Sequence, residues 1–290
     1  MSSEATPPTA LSGSIIWARR QGASRLVVFT SDGAGDLARL ATYFSLEIEV
    51  RKIDGAMSQA EEPSPLPVIL PPPAGVESLL DELRSYGLEV VLENGSWRGE
   101  LLGLEVARIV LWPQETGGDG ELHIEVGVGR FDRDASAAMH AGESIDEALT
   151  RAVGIVKDQR FPGAGTHALS LMARPRWMRA AAIADPSVIG AEHLAPIETT
   201  IVASSVRDTY PAAALGKAVG GSRDDSLLAV FSTGASLDLV PLAADTRALI
   251  APDADLRLVV PQGDRMGAID DLATLLDPPA EMIEVTAEWT

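Results

Sequence analysis

The stretch from Leu79 to Arg160 constrains the chain most. It reads as a helix, three strands and a second helix, and two of the strands are strongly apolar yet carry a glutamate each. Glu105 lies in Leu104-Glu-Val-Ala-Arg108, and Glu125 in His123-Ile-Glu-Val-Gly-Val-Gly-Arg130. Burying an unpaired carboxylate is costly, so each glutamate needs an arginine, a bound cation or a wet face. The spacing predicts a helix over Val76 to Tyr86 closed by Gly87. Strands are expected at Leu88 to Glu93, Glu100 to Trp112 and Glu121 to Phe131. Asn94-Gly95 and the run Gly117 to Gly120 serve as turns of an antiparallel meander. Ser144-Ile-Asp-Glu147 is a capping box that opens a helix to about Gln159.

On either side the pattern changes to alternating strand and helix. Arg25 to Thr30, Asp36 to Phe44 and Leu46 to Ile53 make a strand-helix-strand unit, preceded by a short helix from Ser14. Gly55 to Gly75 holds six prolines and reads as a linker or long loop, in which Val68 to Leu70 could form a short strand. Near the C-terminus, strands at Leu227 to Phe231, Leu256 to Val260 and Glu281 to Val285 alternate with helices at Leu237 to Leu249 and Arg265 to Leu276. Val28-Phe-Thr-Ser and Val230-Phe-Ser-Thr both lie eight residues before an Asp-Leu pair, an echo that supports matching α/β units. The expected fold class is therefore α/β: a central αβββα mixed-sheet core, an N-terminal βαβ unit and a C-terminal parallel βαβαβ half-sheet. Residues 1–12 are expected as a disordered lead-in. Residues 13–160 are expected as an N-terminal domain, 161–225 as a helical and Pro/Ala-rich connector, and 226–290 as the C-terminal unit.

Hydrophobic residues make up 46% of the 290 residues but aromatics only 4%, so the core must be mostly Ala, Val, Leu and Ile. There is no cysteine, which excludes disulfides, thiolate zinc sites and a thiol nucleophile. The net charge of −19 argues against wholesale nucleic-acid binding. No apolar run is long enough to span a bilayer, and residues 1–12 lack the basic and apolar regions of a signal peptide, so the expectation is a cytoplasmic protein without a membrane partner.

Helix, three antiparallel strands and helix, with acids on the second and third strands, resembles the PD-(D/E)XK nuclease core over Leu79 to Arg160. That resemblance implies a divalent metal, Mg²⁺, held by Glu105 and Glu125, with His123 on the same face as Glu125. Bound metal would activate water for phosphodiester hydrolysis. The chain departs from the family at Gly127, which stands where the lysine belongs, and at Glu105, where aspartate is usual. The alternative is that each glutamate pairs with an arginine, such as Arg108 or Arg130. Trp97 to Arg108 and Glu125 to Asp132 also look broadly like conserved uncharacterised proteins of high-GC actinobacteria. The excess of 20 Arg over three Lys fits such a genome.

Two further stretches could take an anion. Gly33-Ala-Gly35-Asp-Leu-Ala38 fits a relaxed dinucleotide fingerprint, with Asp54 placed where a ribose-binding acid would sit. A flexible turn with Asp36 complementing the helix dipole explains it as well. Ser232-Thr-Gly-Ala-Ser236 offers backbone N–H groups, or a hydroxyl helix cap. Walker A, G-x-S-x-G and H-E-x-x-H patterns do not occur.

The run from Arg151 to Arg179 carries six basic residues and one acid, a local +5 in a chain of −19. Arg174, Arg176 and Arg179 are the candidate anion-binding residues, because arginine grips phosphate or carboxylate bidentately. They either meet an anionic partner or neutralise the protein's own acids. Taken together, the sequence points first to a non-catalytic binding or interaction protein with a degenerate nuclease-like core. A metal-dependent nuclease or phosphodiesterase and a nucleotide-binding module are the alternatives.

Overall fold

The structure is a computed structural model that describes residues 7–112, 120–128, 143–164, 167–200, 210–220 and 226–289. The turn expected at 117–119, the strand end at Phe131, Arg130 and residues 1–6 lie outside the described residues. The fold is α/β, with eight α-helices and sheets of three, four and five strands among the described residues. In chain order, α1 is Pro7–Arg20, β1 Arg25–Thr30, α2 Ala34–Ala41, β2 Glu47–Asp54, β3 Met57–Ala60 and α3 Glu77–Ser85. There follow β4 Glu89–Glu93, β5 Ser96–Leu101, β6 Leu104–Leu111, β7 Leu122–Val126, α4 Ile145–Gln159, α5 Ala168–Leu171 and α6 Arg174–Ala184. The last elements are β8 Ala191–Ile197, β9 Ala212–Ala218, β10 Ser226–Phe231, α7 Leu239–Ile250, β11 Asp255–Pro261, α8 Gly267–Thr274 and β12 Ala280–Val285.

The chain divides into two compact units. The first comprises Met1–Val68, Ser187–His193 and Leu215–Val285, the second Ile69–Pro186, Leu194–Ala214 and Thr286–Thr290.

In the first unit, β1 and β2 are parallel and joined through α2, as the βαβ pattern requires. Leu26, Val28 and Val50 are buried, as are Leu37, Leu40 and Ala41 of α2, while Val27 and Phe29 on the opposite face of β1 are exposed. β3 pairs antiparallel with β2. The strand within 55–75 thus lies at Met57–Ala60 and not at Val68 to Leu70: its sequence, Met-Ser-Gln-Ala, has no strand signature and is exposed throughout. The helix expected from Ser14 begins at Pro7. Leu11, Ile15 and Ala18 recur at helical spacing and are buried. Ser12 Oγ donates to Leu237 O at 2.8 Å, so 7–12 is ordered helix and not a disordered lead-in.

The five-stranded sheet has the order β12-β11-β10-β9-β8. β10–β11 and β11–β12 are parallel, so the C-terminal half-sheet forms as expected, with α7 and α8 as its crossover helices. β8 and β9 correct the reading of 161–225 as connector. Ala212-Ala-Ala-Leu-Gly-Lys-Ala218 has no β-branched residue, which hid it from pattern reading.

The second unit is organised on the antiparallel sheet β4-β5-β6-β7. One face packs on α3 and α4 through Leu80, Leu83, Val106, Ile109, Ile124, Leu149 and Val153. The capping box is present: Ser144 Oγ accepts from Glu147 N at 3.2 Å, and Glu147 Oε2 accepts from Ser144 N at 2.9 Å. The long strand expected over Glu100 to Trp112 is broken by a turn at Leu102-Gly103, so the expected antiparallel meander has four strands and not three. Leu102 has φ of 50° and Gly103 φ of 72°. Together they form the two-residue turn whose twist suits a hairpin. Gly103 serves a second need, because a Cβ there would collide with the α6 backbone at Arg176 and lie 2.5 Å from Trp177 N.

Candidate functional site

The second face of the β4-β5-β6-β7 sheet is charged. Strand alternation places Glu89 and Glu93 of β4 on it, together with Arg98 and Glu100 of β5. On β6 a bulge changes the outcome. Arg98 faces Arg108 and Gly99 faces Ala107, but Glu100 faces Glu105, so one residue of β6 is extra. Without that bulge, Glu105 and Arg108 would point to opposite sides. With it, both join Glu125 and His123, the cross-strand partners of Arg108 and Val110, on one face.

Helix α6 closes over this face with two arginines. Arg176 Nη2 donates to both carboxylate oxygens of Glu93 at 2.7 Å, and its Nη1 donates to Glu100 Oε1 at 3.1 Å. Arg179 Nη2 donates to Glu100 Oε2 at 2.5 Å. From the sheet, Arg98 Nη1 pairs with Glu93 at 2.5 Å and with Glu105 at 3.0 Å. Glu100 is 1% exposed and Arg179 3%. Burial works against ionisation of Glu100, but the charges of Arg179, Arg176 and Arg98 outweigh it and hold the carboxyl below the usual glutamate range. Burial likewise disfavours the Arg176 cation, and Glu100, Glu93 and Glu105 overcome it, so its pKa is raised. Glu89 fares differently. Burial pushes its pKa up, opposed by Arg179 and reinforced by Glu100, and its Oε2 has no hydrogen-bond partner among the described residues.

Arg160 lies beside this network. It is 1% exposed and sits 4.4 Å over the Trp177 ring, a cation–π contact. It donates to the carbonyls of Leu169, Met172 and Ala173 at 2.9, 2.7 and 3.2 Å. Burial brings its pKa down to about 9, with Glu100 opposing and Arg174 adding to the fall. Arg174 stacks 4.6 Å over Trp289. These contacts fix the turn that leads into α6, where Ala173 adopts φ of 44°.

Glu105 is engaged by Arg98, and Glu125 by Arg108 at 2.7 and 3.0 Å, which is the arginine-pairing alternative. His123 stacks on Trp112 at 4.2 Å. Among the described residues no group of three His, Asp or Glu has the arrangement of a metal site. The anion-binding expectation for Arg176 and Arg179 is corrected, since both are turned into the sheet and bonded to glutamates. Arg174 lies on Trp289, and Arg151 pairs with Glu143 at 2.9 Å. Three of the six basic residues of this run, Arg151, Arg176 and Arg179, are thus paired with the chain's own acids. Glu93, Arg98 and Glu100 escaped sequence reasoning. Their signal was the recurrence of acids on one side of successive strands, at Glu89, Glu93, Glu100 and Glu105, visible only once the hairpin at Gly103 is known.

In the first unit, Gly33 has φ of 62° as the residue before α2. That left-handed conformation is one that glycine adopts without cost from a Cβ. Gly35 is covered by Ser64: a Cβ there would strike Ser64 Oγ, and Ser64 N donates to Gly35 O at 2.9 Å. The close approach at Gly35 is thus made by the chain's own Ser64, which accounts for the glycine without a cofactor. Asp54 ends β2 at the turn into β3, opposite Met57. Gly234 N in the Ser232–Ser236 loop donates to Asp264 Oδ2 at 2.6 Å, and Asp238 before α7 makes no side-chain cap. A buried cluster was not foreseen there: Asp245 Oδ1 accepts from Arg39 Nε at 2.9 Å and from the Tyr43 hydroxyl at 2.8 Å. Burial first, then the hydrogen bond and charge of Asp245, raise the pKa of Tyr43. No helix among the described residues is long and apolar enough to cross a membrane.

Comparison with known protein families, with curated proteins and with solved structures finds no match to this chain.

Proposed function

We propose that this chain is a non-catalytic binding or interaction protein, in which the β4-β5-β6-β7 unit is a scaffold and not a hydrolytic centre. The observation that carries this reading is the pairing of Glu93, Glu100 and Glu105 with Arg98, Arg176 and Arg179. A metal centre needs carboxylate oxygens with lone pairs directed at the ion. Here the guanidinium groups hold those oxygens, and displacing a buried arginine would leave its charge unpaired. Gly127, in place of a lysine, agrees with this reading.

The test is calorimetric titration of the protein with Mg²⁺ and Mn²⁺, for wild type and for Glu125→Ala. The expected result is no saturable heat that depends on Glu125. Saturable binding by wild type that is lost in Glu125→Ala would overturn the reading in favour of metal chemistry.

A further inference from the structure

The open edge of β2 supplies what an interaction protein requires. β3 pairs with β2 only over Arg51 to Asp54. One more bond, Glu61 N to Val50 O at 2.9 Å, ends the pairing. Pro63 follows without an N–H to give. The carbonyl of Val50 therefore points to the β3 side. In a strand the N–H and C=O of one residue point the same way and the direction alternates, so those of Ile48 point to this side too. No described residue pairs with them.

A cleft of about 430 Å³ lies along this edge, lined by residues that include Ala38, Ala41, Phe44, Glu47, Glu49 and Glu61. Its two sides differ. Ile48 and Val50 share a face with the buried residues of β1, Leu26 and Val28, toward α2, where the small side chains of Ala38 and Ala41 leave space. Glu47 and Glu49 lie on the opposite face with Arg25, which pairs with Glu47 at 3.2 Å and with Glu49 at 2.5 Å and is the one basic residue of the cleft lining. Arg51, further along that face, also holds Glu49 at 2.6 Å, so Glu47 is the acid of the pair left most open to a partner's cation. The far wall is held in place, since Ser64 N is bonded to Gly35 O and Arg39 Nη1 donates to Pro65 O at 3.2 Å.

We infer that this edge takes an extended segment of a partner protein as an added strand, with basic residues alternating with small apolar ones. Resting on the interaction reading above, this assigns the partner's chemistry. The backbone of Ile48 supplies main-chain hydrogen bonds, as in other strand additions. Side chains on one face of the added strand meet Glu47 and Glu49. Those on the other face enter the space beside Ala38 and Ala41. A second copy of this chain is the wrong occupant, because two β2 edges brought together would set Glu47 and Glu49 against acids of the same kind.

The test is fluorescence anisotropy with a labelled peptide Lys-Val-Arg-Ala-Lys-Val-Arg, its acidic counterpart with every Lys and Arg changed to Glu, and a form N-methylated at alternate amides. Saturable binding of the basic peptide is expected, with at least about tenfold loss on N-methylation or with Glu47→Lys, and none for the acidic peptide. Glu47 is largely exposed, so its variant keeps the fold. Absence of binding, or binding indifferent to N-methylation and to Glu47→Lys, overturns the assignment, as does a sedimenting dimer that Glu47→Lys disrupts. If the peptide fails while the metal titration is silent, the groove assignment falls alone. A Glu125-dependent metal site removes the interaction reading whatever the peptide does.

Discussion

Replacing Arg179 with Met removes one cation from the sheet face while keeping much of its volume. Arg179 is 3% exposed and donates to Glu100, which is 1% exposed. After the change Glu100 keeps Arg176 at 3.1 Å but loses its shortest partner. Breaking a buried pair from one side costs about 3–5 kcal/mol, because the remaining charge stays out of water. At about 2–4 °C per kcal/mol for domains of this class, the melting point should fall by roughly 6–20 °C. Tryptophan fluorescence in a urea titration reads the right unit, since Trp97, Trp112, Trp177 and Trp289 all belong to it and Trp17 to the other. Combining Arg179→Met with Glu100→Met should cost less than the sum of the two single changes, with a coupling of about 0.5–3 kcal/mol. A loss below about 1 kcal/mol for Arg179→Met, the range of exposed ion pairs, would refute the reasoning.

Three other changes have defined directions. Glu89 has a raised pKa in the folded state, so its contribution favours folding at low pH and is lost as pH rises from the ordinary 4.5 through the folded value. Glu89→Gln should therefore raise the melting point at pH 7 and leave it nearly unchanged at pH 4, and an equal effect at both would contradict the assignment. Gly103→Ala should destabilise by more than the roughly 1–2 kcal/mol of a left-handed non-glycine residue. The excess arises because the new Cβ also meets the α6 backbone, and chemical denaturation measures it. Asp245→Ala strips Arg39 and Tyr43 of their shared acceptor. Arg39 keeps Asp36 at 2.7 Å, so the cost should be about 1–3 kcal/mol, that of hydrogen bonds lost by half-buried donors. The change should also lower the pKa of the Tyr43 phenol seen by ultraviolet titration, whereas an unmoved titration would place the cause of the shift elsewhere.

The elements most legible in the sequence were those with strong local signals. The Ser144–Glu147 capping box, the parallel β1–β2 pair and the three C-terminal parallel strands have clear periodicity and end markers. Three features were hidden for physical reasons. Leu101-Leu-Gly-Leu104 reads as continuous apolar strand, and only the positive φ of Leu102 and Gly103 shows it to be a turn. β9 is mostly alanine, and sheet neighbours rather than propensity make it a strand. The bulge in β6 reverses the facing of Glu105 relative to Arg108, which no alternation rule anticipates. At the site, sequence separation concealed the pairing of Arg176 and Arg179 with Glu93 and Glu100. The charge imbalance around the arginines was visible, and neutralisation of the chain's own acids was one of its two readings.

Whether arginines hold the carboxylates of this sheet face is read most directly at Glu100. Its side-chain carboxyl can be followed by ¹³C NMR as pH falls from 8. Arg179, Arg176 and Arg98 should keep it ionised, with no titration step at or above the ordinary value of 4.5. A step above 4.5 would mean that burial prevails over the arginines, and the network described for this face would be wrong.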